Sequence, residues 1–286
     1  MKRLNIFVDE TGEFCFDKGS SKLYGVSFTF HEQDDDIMPE LKKLNDRLAR
    51  IGYTNMIHMA DLVLHRGDYS KFDIATRKSI FNAIYQFSRR IEVKYHTVIV
   101  DKSYANSSRI LKQQLSNQIN KMIKKHETYF RKFDKIVLYY DNGQEILGTI
   151  LSSIFLIFDT FEHRAKFDHK EKRLFQVSDM LTYIDKYDYK YKNKMSFTKG
   201  EKYFFSNEEI RRVLKELNKK RFWFIKKATI KVAFLSGAWR QHGFGPPEVQ
   251  SSLRRPRVDI IYNNIISTLQ VNYTKYIFQC KYFFAC

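Results

Sequence analysis

The alternation of apolar and polar positions divides the first 220 residues into short strands and longer helices. Leu4 to Val8 is an apolar run stopped by Asp9-Glu10-Thr11-Gly12, the pattern of a buried strand. Leu23 to Phe30 predicts a second strand, and Ile37 to Ile51 a helix that Asp34, Asp35 or Asp36 would cap and Gly52 would stop. Ile74, Ile80, Phe81, Ile84 and Phe87 recur at helical spacing behind Asp73, a second candidate cap. Ile91 to Val100 predicts a strand ending at Asp101, and Ser107 to Phe130 the longest helical pattern. Lys135 to Tyr140 is the clearest interior strand, closed by Asp141-Asn142-Gly143. Ile146 to Phe161 predicts a buried helix, Arg164 to Phe167 a short strand, Leu174 to Tyr187 another helix, and Asn207 to Lys220 a last one.

Strands alternating with helices after a run of adjacent strands predict an α/β layered fold with a mixed central sheet flanked by helices. Beyond Lys227 the character changes, with Pro246, Pro247, Pro256, Cys280 and Cys286 gathered there. The chain therefore divides into a domain over 1–227 and an appended C-terminal segment over 228–286 of open role and origin.

At 43% hydrophobic and 16% aromatic residues the chain can bury a full core, which excludes wholesale disorder. The formal charge of +18 points to a polyanionic partner, DNA or RNA, although a lysine-rich composition with solvated side chains would give the same sum. Three cysteines without C-x-x-C spacing indicate neither a disulfide framework nor a zinc ribbon. Met1-Lys2-Arg3 leads straight into the first strand, and no apolar run reaches the ~18 residues of a membrane span. A cytoplasmic protein without a membrane partner is expected; its protein partners are not legible.

Candidate chemistry lies in the carboxylates. Asp9 and Glu10 close one strand, Asp141 closes another, and Asp179 interrupts an apolar helical stripe. If the two strands are parallel neighbours, Asp9 and Asp141 share the crevice at their carboxyl ends. Clustered carboxylates repel unless a cation neutralises them, and hard oxygen ligands suit Mg²⁺ or Mn²⁺, which in a two-metal site activate water and hold a phosphodiester. Each has a plainer reading: Asp141 as a turn residue, Asp179 as half of a buried ion pair. His58 and Asp61, three apart, bind metal, position phosphate or serve structure alone. Lys124 and Lys125 form one basic cluster, and Lys170, Lys172 and Arg173 another, both candidates for phosphate contact. The interleaved Tyr and Lys residues from Tyr183 to Lys194 fit base stacking or an ordinary exposed stretch equally well.

Ile6-Phe7-Val8-Asp9-Glu10-Thr11-Gly12, then Tyr139-Tyr140-Asp141-Asn142, then Phe175-Gln176-Val177-Ser178-Asp179-Met180-Leu181 together resemble the bacterial and phage domain of unknown function 3800 family, over roughly residues 3 to 225. That family starts on D-E-[ST]-G and carries an L-Q-x-A-D-like helix; here Thr11 stands for the commoner Ser and Ser178 for Ala. The resemblance implies a ribonuclease-H-like fold and nuclease activity, in a phage-defence or mobile-element setting. It implies Asp9, Asp141 and Asp179 as metal ligands, with Glu10 close by and Gln176 and His58 in support. A module that keeps the fold and binds nucleic acid or protein without cutting is the alternative.

Overall fold

The computed structural model describes residues 1–17, 19–166 and 168–222, with the backbone alone at 169 and 170. The expected break at 227 and the appended segment 228–286 lie outside the described residues.

Five strands form one mixed sheet: β1 (Arg3–Thr11), β2 (Leu23–Glu32), β3 (Lys94–Asp101), β4 (Lys135–Tyr139) and β5 (Phe161–Arg164), in the order β3-β2-β1-β4-β5. β2 is antiparallel to β1 and β3, whereas β1, β4 and β5 are parallel. The helices are α1 (Met38–Ile51), α2 (Met59–Leu64), α3 (Ile74–Arg90), α4 (Ser108–Lys125), α5 (Glu127–Phe130), α6 (Glu145–Phe155), α7 (His169–Lys192), α8 (Lys199–Phe204) and α9 (Asn207–Leu217). The expected mixed sheet flanked by helices is present.

Alternation along each strand builds two cores, one per face. Leu4, Ile6, Val8, Ile136, Leu138 and Tyr140 meet α4 and α6 on one face. Phe7, Val137 and Tyr139 meet α1, α3 and α7 on the other, with Phe7 and Tyr139 stacked at 4.8 Å. Each such side chain, fully buried, contributes roughly 1.5–3 kcal/mol.

α7 is buried nearly all round because it lies between the sheet and the layer of α1, α2 and α3. It tracks β1: the Ser178 hydroxyl lies 3.0 Å from Phe7 O, Thr182 Oγ1 3.4 Å from Asp9 O, and Lys186 Nζ 3.2 Å from Thr11 Oγ1. Four helical residues rise ~6 Å and two strand residues ~6.6 Å, so the register is kept over two steps and three contacts.

Several sequence expectations change. β1 runs through Asp9 and Glu10, because β2 stays paired with it as far as Thr11↔Gly25. The pattern over 107–130 breaks at His126 into α4 and α5, which leaves the 24-residue α7 as the longest helix among the described residues. The fifth strand is Phe161–Arg164 rather than 164–167, drawn back by its parallel pairing with β4. Ile37 takes the cap position of α1, while Asp36 accepts from Met38 N at 2.9 Å; Asp73 caps α3 as expected. No helix among the described residues is long and apolar enough to cross a membrane.

Candidate functional site

β1 and β4 stay paired only as far as Phe7↔Tyr139. Beyond that pair β1 continues against β2 alone, while the chain leaves β4 through a turn with Asn142 at φ 61°. The divergence opens a cleft at the carboxyl ends of two parallel neighbours, where such sheets place their ligands. Parity along β1 puts Asp9 on the face that carries Phe7 and α7, and Glu10 on the face of Tyr140 and α6. Asp179 reaches the cleft from α7.

The four carboxylates therefore form a chain rather than a single cluster. Burial raises the Asp9 carboxyl well above its ordinary value, and the charges of Asp179, Glu10 and Asp141 raise it further, in that order. Burial also holds Asp179 up, opposed by the Met59 N–H that donates to its Oδ2 at 2.9 Å and by the nearby His58. Glu10 rises to about 7, through burial and then the charge of Asp141. The Tyr140 hydroxyl lies 3.2 Å from both Glu10 Oε1 and Gln144 O, and its single proton serves one of them at a time. A Cβ on Gly143 would stand 2.8 Å from Glu10 Oε1 and 3.3 Å from Asp141 Oδ1, so a larger residue there would push the two acids aside.

Glu10 Oε2 and Gln144 Oε1 are buried without a hydrogen-bond partner. An orphaned carboxylate oxygen and an orphaned amide oxygen among like charges fit a hard divalent cation in chemistry. In geometry, the split into an Asp9–Asp179 side and a Glu10–Asp141 side means that no three potential ligands converge on one point among the described residues.

His58 and Asp61 join the edge of this site: His58 is the N-cap residue of α2, Asp61 lies in its first turn, and Asp179 feels both charges. Gln176 sits away from the cleft, its Oε1 accepting from Arg173 at 2.8 Å and its amide facing Met56 Sδ at 2.7 Å. Arg173, expected to contact nucleic acid, is buried and ties α7 to Asn45 and Asn55 O at 3.2 and 3.4 Å. With exposed Lys172 it lines a hollow of about 440 Å³ beside Asn55 and Met56. The side chain of Lys170 lies outside the described residues.

Lys124 and Lys125 fall at the wrong end. α4 starts where Ser108 Oγ donates to Phe14 O at 3.1 Å, just past β1, and ends at His126 beside Phe222. The next turn carries Tyr129, which donates to Glu32 at 3.2 Å, and Glu32 pairs with Leu4 at the start of β1. The two lysines thus stand a sheet length from the carboxylates. Tyr183 and Tyr187, one option for base stacking, are buried in the core.

Lys186, one of the lysines interleaved with tyrosines in the sequence, is the member of that stretch that reaches the end of β1. It stands two turns after Asp179 on the same face of α7, and burial first, then Lys190, lowers its ammonium to about 8. The i, i+7 spacing from Asp179 was the available signal.

No family model and no characterised protein sequence matches the chain, so the resemblance to the domain of unknown function 3800 family rests on the quoted motifs alone. Among solved structures the chain is similar to the PCNA:RNase HII complex from Archaeoglobus fulgidus, at 16% identity over 76% of this chain and 89% of that one, with a TM-score of 0.33. A likeness of that size carries no weight for function.

Proposed function

We propose that the chain is a ribonuclease-H-like, metal-dependent nuclease that hydrolyses phosphodiester bonds of DNA or RNA. One observation carries the reading: Asp9, Glu10, Asp141 and Asp179 line the open carboxyl end of parallel β1 and β4, close enough to feel one another's charge, with acceptors left unpaired. The mixed sheet flanked by helices is the architecture that the family resemblance implies.

Asp9, Asp141 and Asp179 would hold Mg²⁺ or Mn²⁺, with Glu10 ligating or orienting a water. Bound there, the cations supply an activated water and stabilise the leaving oxygen. The Met59 N–H fixes one oxygen of Asp179 and leaves the other for the cleft. The Tyr140 hydroxyl steadies Glu10. The net charge of +18 draws a polyanion to the protein.

The test is cleavage of single- and double-stranded DNA and RNA with Mg²⁺ or Mn²⁺. Asp9→Asn and Asp141→Asn are expected to cut roughly a hundredfold more slowly or worse. Unreduced cutting by both would remove the assignment. A second reading, a binding module that does not cut, draws support from the lack of a three-ligand convergence among the described residues. Tight, salt-sensitive binding with no calorimetric metal uptake favours it over the enzyme.

A further inference from the structure

A cavity of about 720 Å³ adjoins the carboxylates, sharing with them the end of β1 (Thr11) and helix α2 (Ala60, Leu64). Its other wall is the C-terminal half of α7 and the turn that follows. Five cations line it (Lys22, Arg66, Lys186, Lys190 and Lys194) against two carboxylates, Glu13 and Glu201. Glu201 is taken by Lys190 at 2.8 and 3.0 Å. Lys186 has no carboxylate within ion-pair distance among the described residues; its Nζ meets Thr11 Oγ1 at 3.2 Å. Its ammonium is half-buried and feels Glu201 and Glu13 without pairing with either, and a phosphate there would gain a charge-assisted contact. Phe197, half-buried, lines the same cavity, its ring against Tyr187 at 4.4 Å and with Lys190 Nζ 5.8 Å from its centre.

We propose that this cavity receives one unpaired nucleotide of the bound strand, its phosphate on Lys186 and its base against Phe197. The inference rests on the nuclease reading, because the shared walls set that nucleotide beside the carboxylates. The volume lies within the ~300–1,000 Å³ of small-ligand pockets, too large for phosphate alone. A base still stacked in a duplex cannot enter, so the substrate class is single-stranded nucleic acid or a frayed strand end.

Calorimetry in EDTA with adenosine 5′-monophosphate, adenosine and inorganic phosphate tests it apart from cleavage. The monophosphate is expected to bind about tenfold more tightly than either adenosine or phosphate, one charge-assisted contact being worth that factor. Lys186→Met removes the preference over adenosine, Arg66→Gln on the exposed rim weakens it, and Lys124→Met leaves it intact. Equal binding of monophosphate and adenosine overturns the proposal. So does phosphate binding as tightly as the nucleotide, or a preference that survives in both Lys186→Met and Arg66→Gln with each variant folded by circular dichroism. If Lys186→Met does not fold, Arg66→Gln decides. Cleavage persisting in Asp9→Asn and Asp141→Asn removes the nuclease reading and leaves these binding outcomes to be judged on their own.

Discussion

The two ends of the central sheet treat charge in opposite ways. At the amino end of β1 and β4, charged and polar groups are satisfied: Lys2 N donates to Asp134 at 2.7 Å, Asn5 to Gln33 at 2.6 Å, and Arg3 to Asn5 and Tyr139. Glu162 there, between Arg164 at 2.5 Å and Lys135 at 2.6 Å, falls to about 2. At the carboxyl end Glu10 rises to about 7, and Asp9 is raised by three other carboxylates. The same strands thus carry one end arranged for stability and one that holds unneutralised charge at a cost, the pattern expected of a functional site.

The contrast breaks first by pH. Glu10 holds its proton in the folded chain up to about 7 and loses it near 4.5 in the unfolded chain, so between those values the native state binds more protons and stability falls as pH rises. Without divalent cations, the free energy of urea unfolding is expected to be lower at pH 8 than at pH 5, by on the order of 3 kcal/mol from Glu10, and the midpoint to fall with it. Glu10→Gln flattens the slope. Mn²⁺ raises the midpoint at pH 8 and much less at pH 5, where protons already neutralise the site. Equal midpoints at both pH values in the metal-free protein would contradict the picture of uncompensated charge. Glu162 acts the other way, its contribution present above 4.5 and lost as pH falls through about 2.

Arg173 sharpens the comparison, because it looks like a ligand-binding cation and is built into the structure. Arg173→Met is expected to cost about 2 kcal/mol in urea unfolding, through stranded acceptors on Asn45 and Gln176, while cleavage per folded molecule stays unchanged. A change in nucleic-acid affinity without loss of stability would return it to the surface role that its neighbours in sequence suggest. The smallest effect belongs to Lys124→Glu, at the far end of α4: stability within about 0.5 kcal/mol of the parent, and cleavage unaltered.

Much of the fold was legible because period two and period 3.6 survive in the apolar positions of β1, β4, α3 and α4. What misled was a cation or an aromatic inside a helix buried all round. On α7, Lys172 and Arg173 read as one basic patch, but the ~100° turn between successive helical residues sends Lys172 to solvent and Arg173 into the layer of α1. Tyr183 and Tyr187 mix with lysines in sequence and are sorted from them by the same rotation, into the core. The site was legible in its residue types, and Lys186 was legible only as one of four lysines from Tyr183 to Lys194, because local pattern does not say which of them faces β1.

By itself the sequence determined that Asp9 and Asp141 follow apolar strands, and that Asp9 has the parity of Phe7, since side chains alternate along a strand. Whether those strand ends are neighbours, and whether they point the same way, depended on pairing across 132 residues of chain, which local pattern does not encode. The tertiary structure decided it. Parallel pairing of β1 with β4 brings the two acids to one cleft, and the step of α7 along β1 carries Asp179 and Lys186 to that same end.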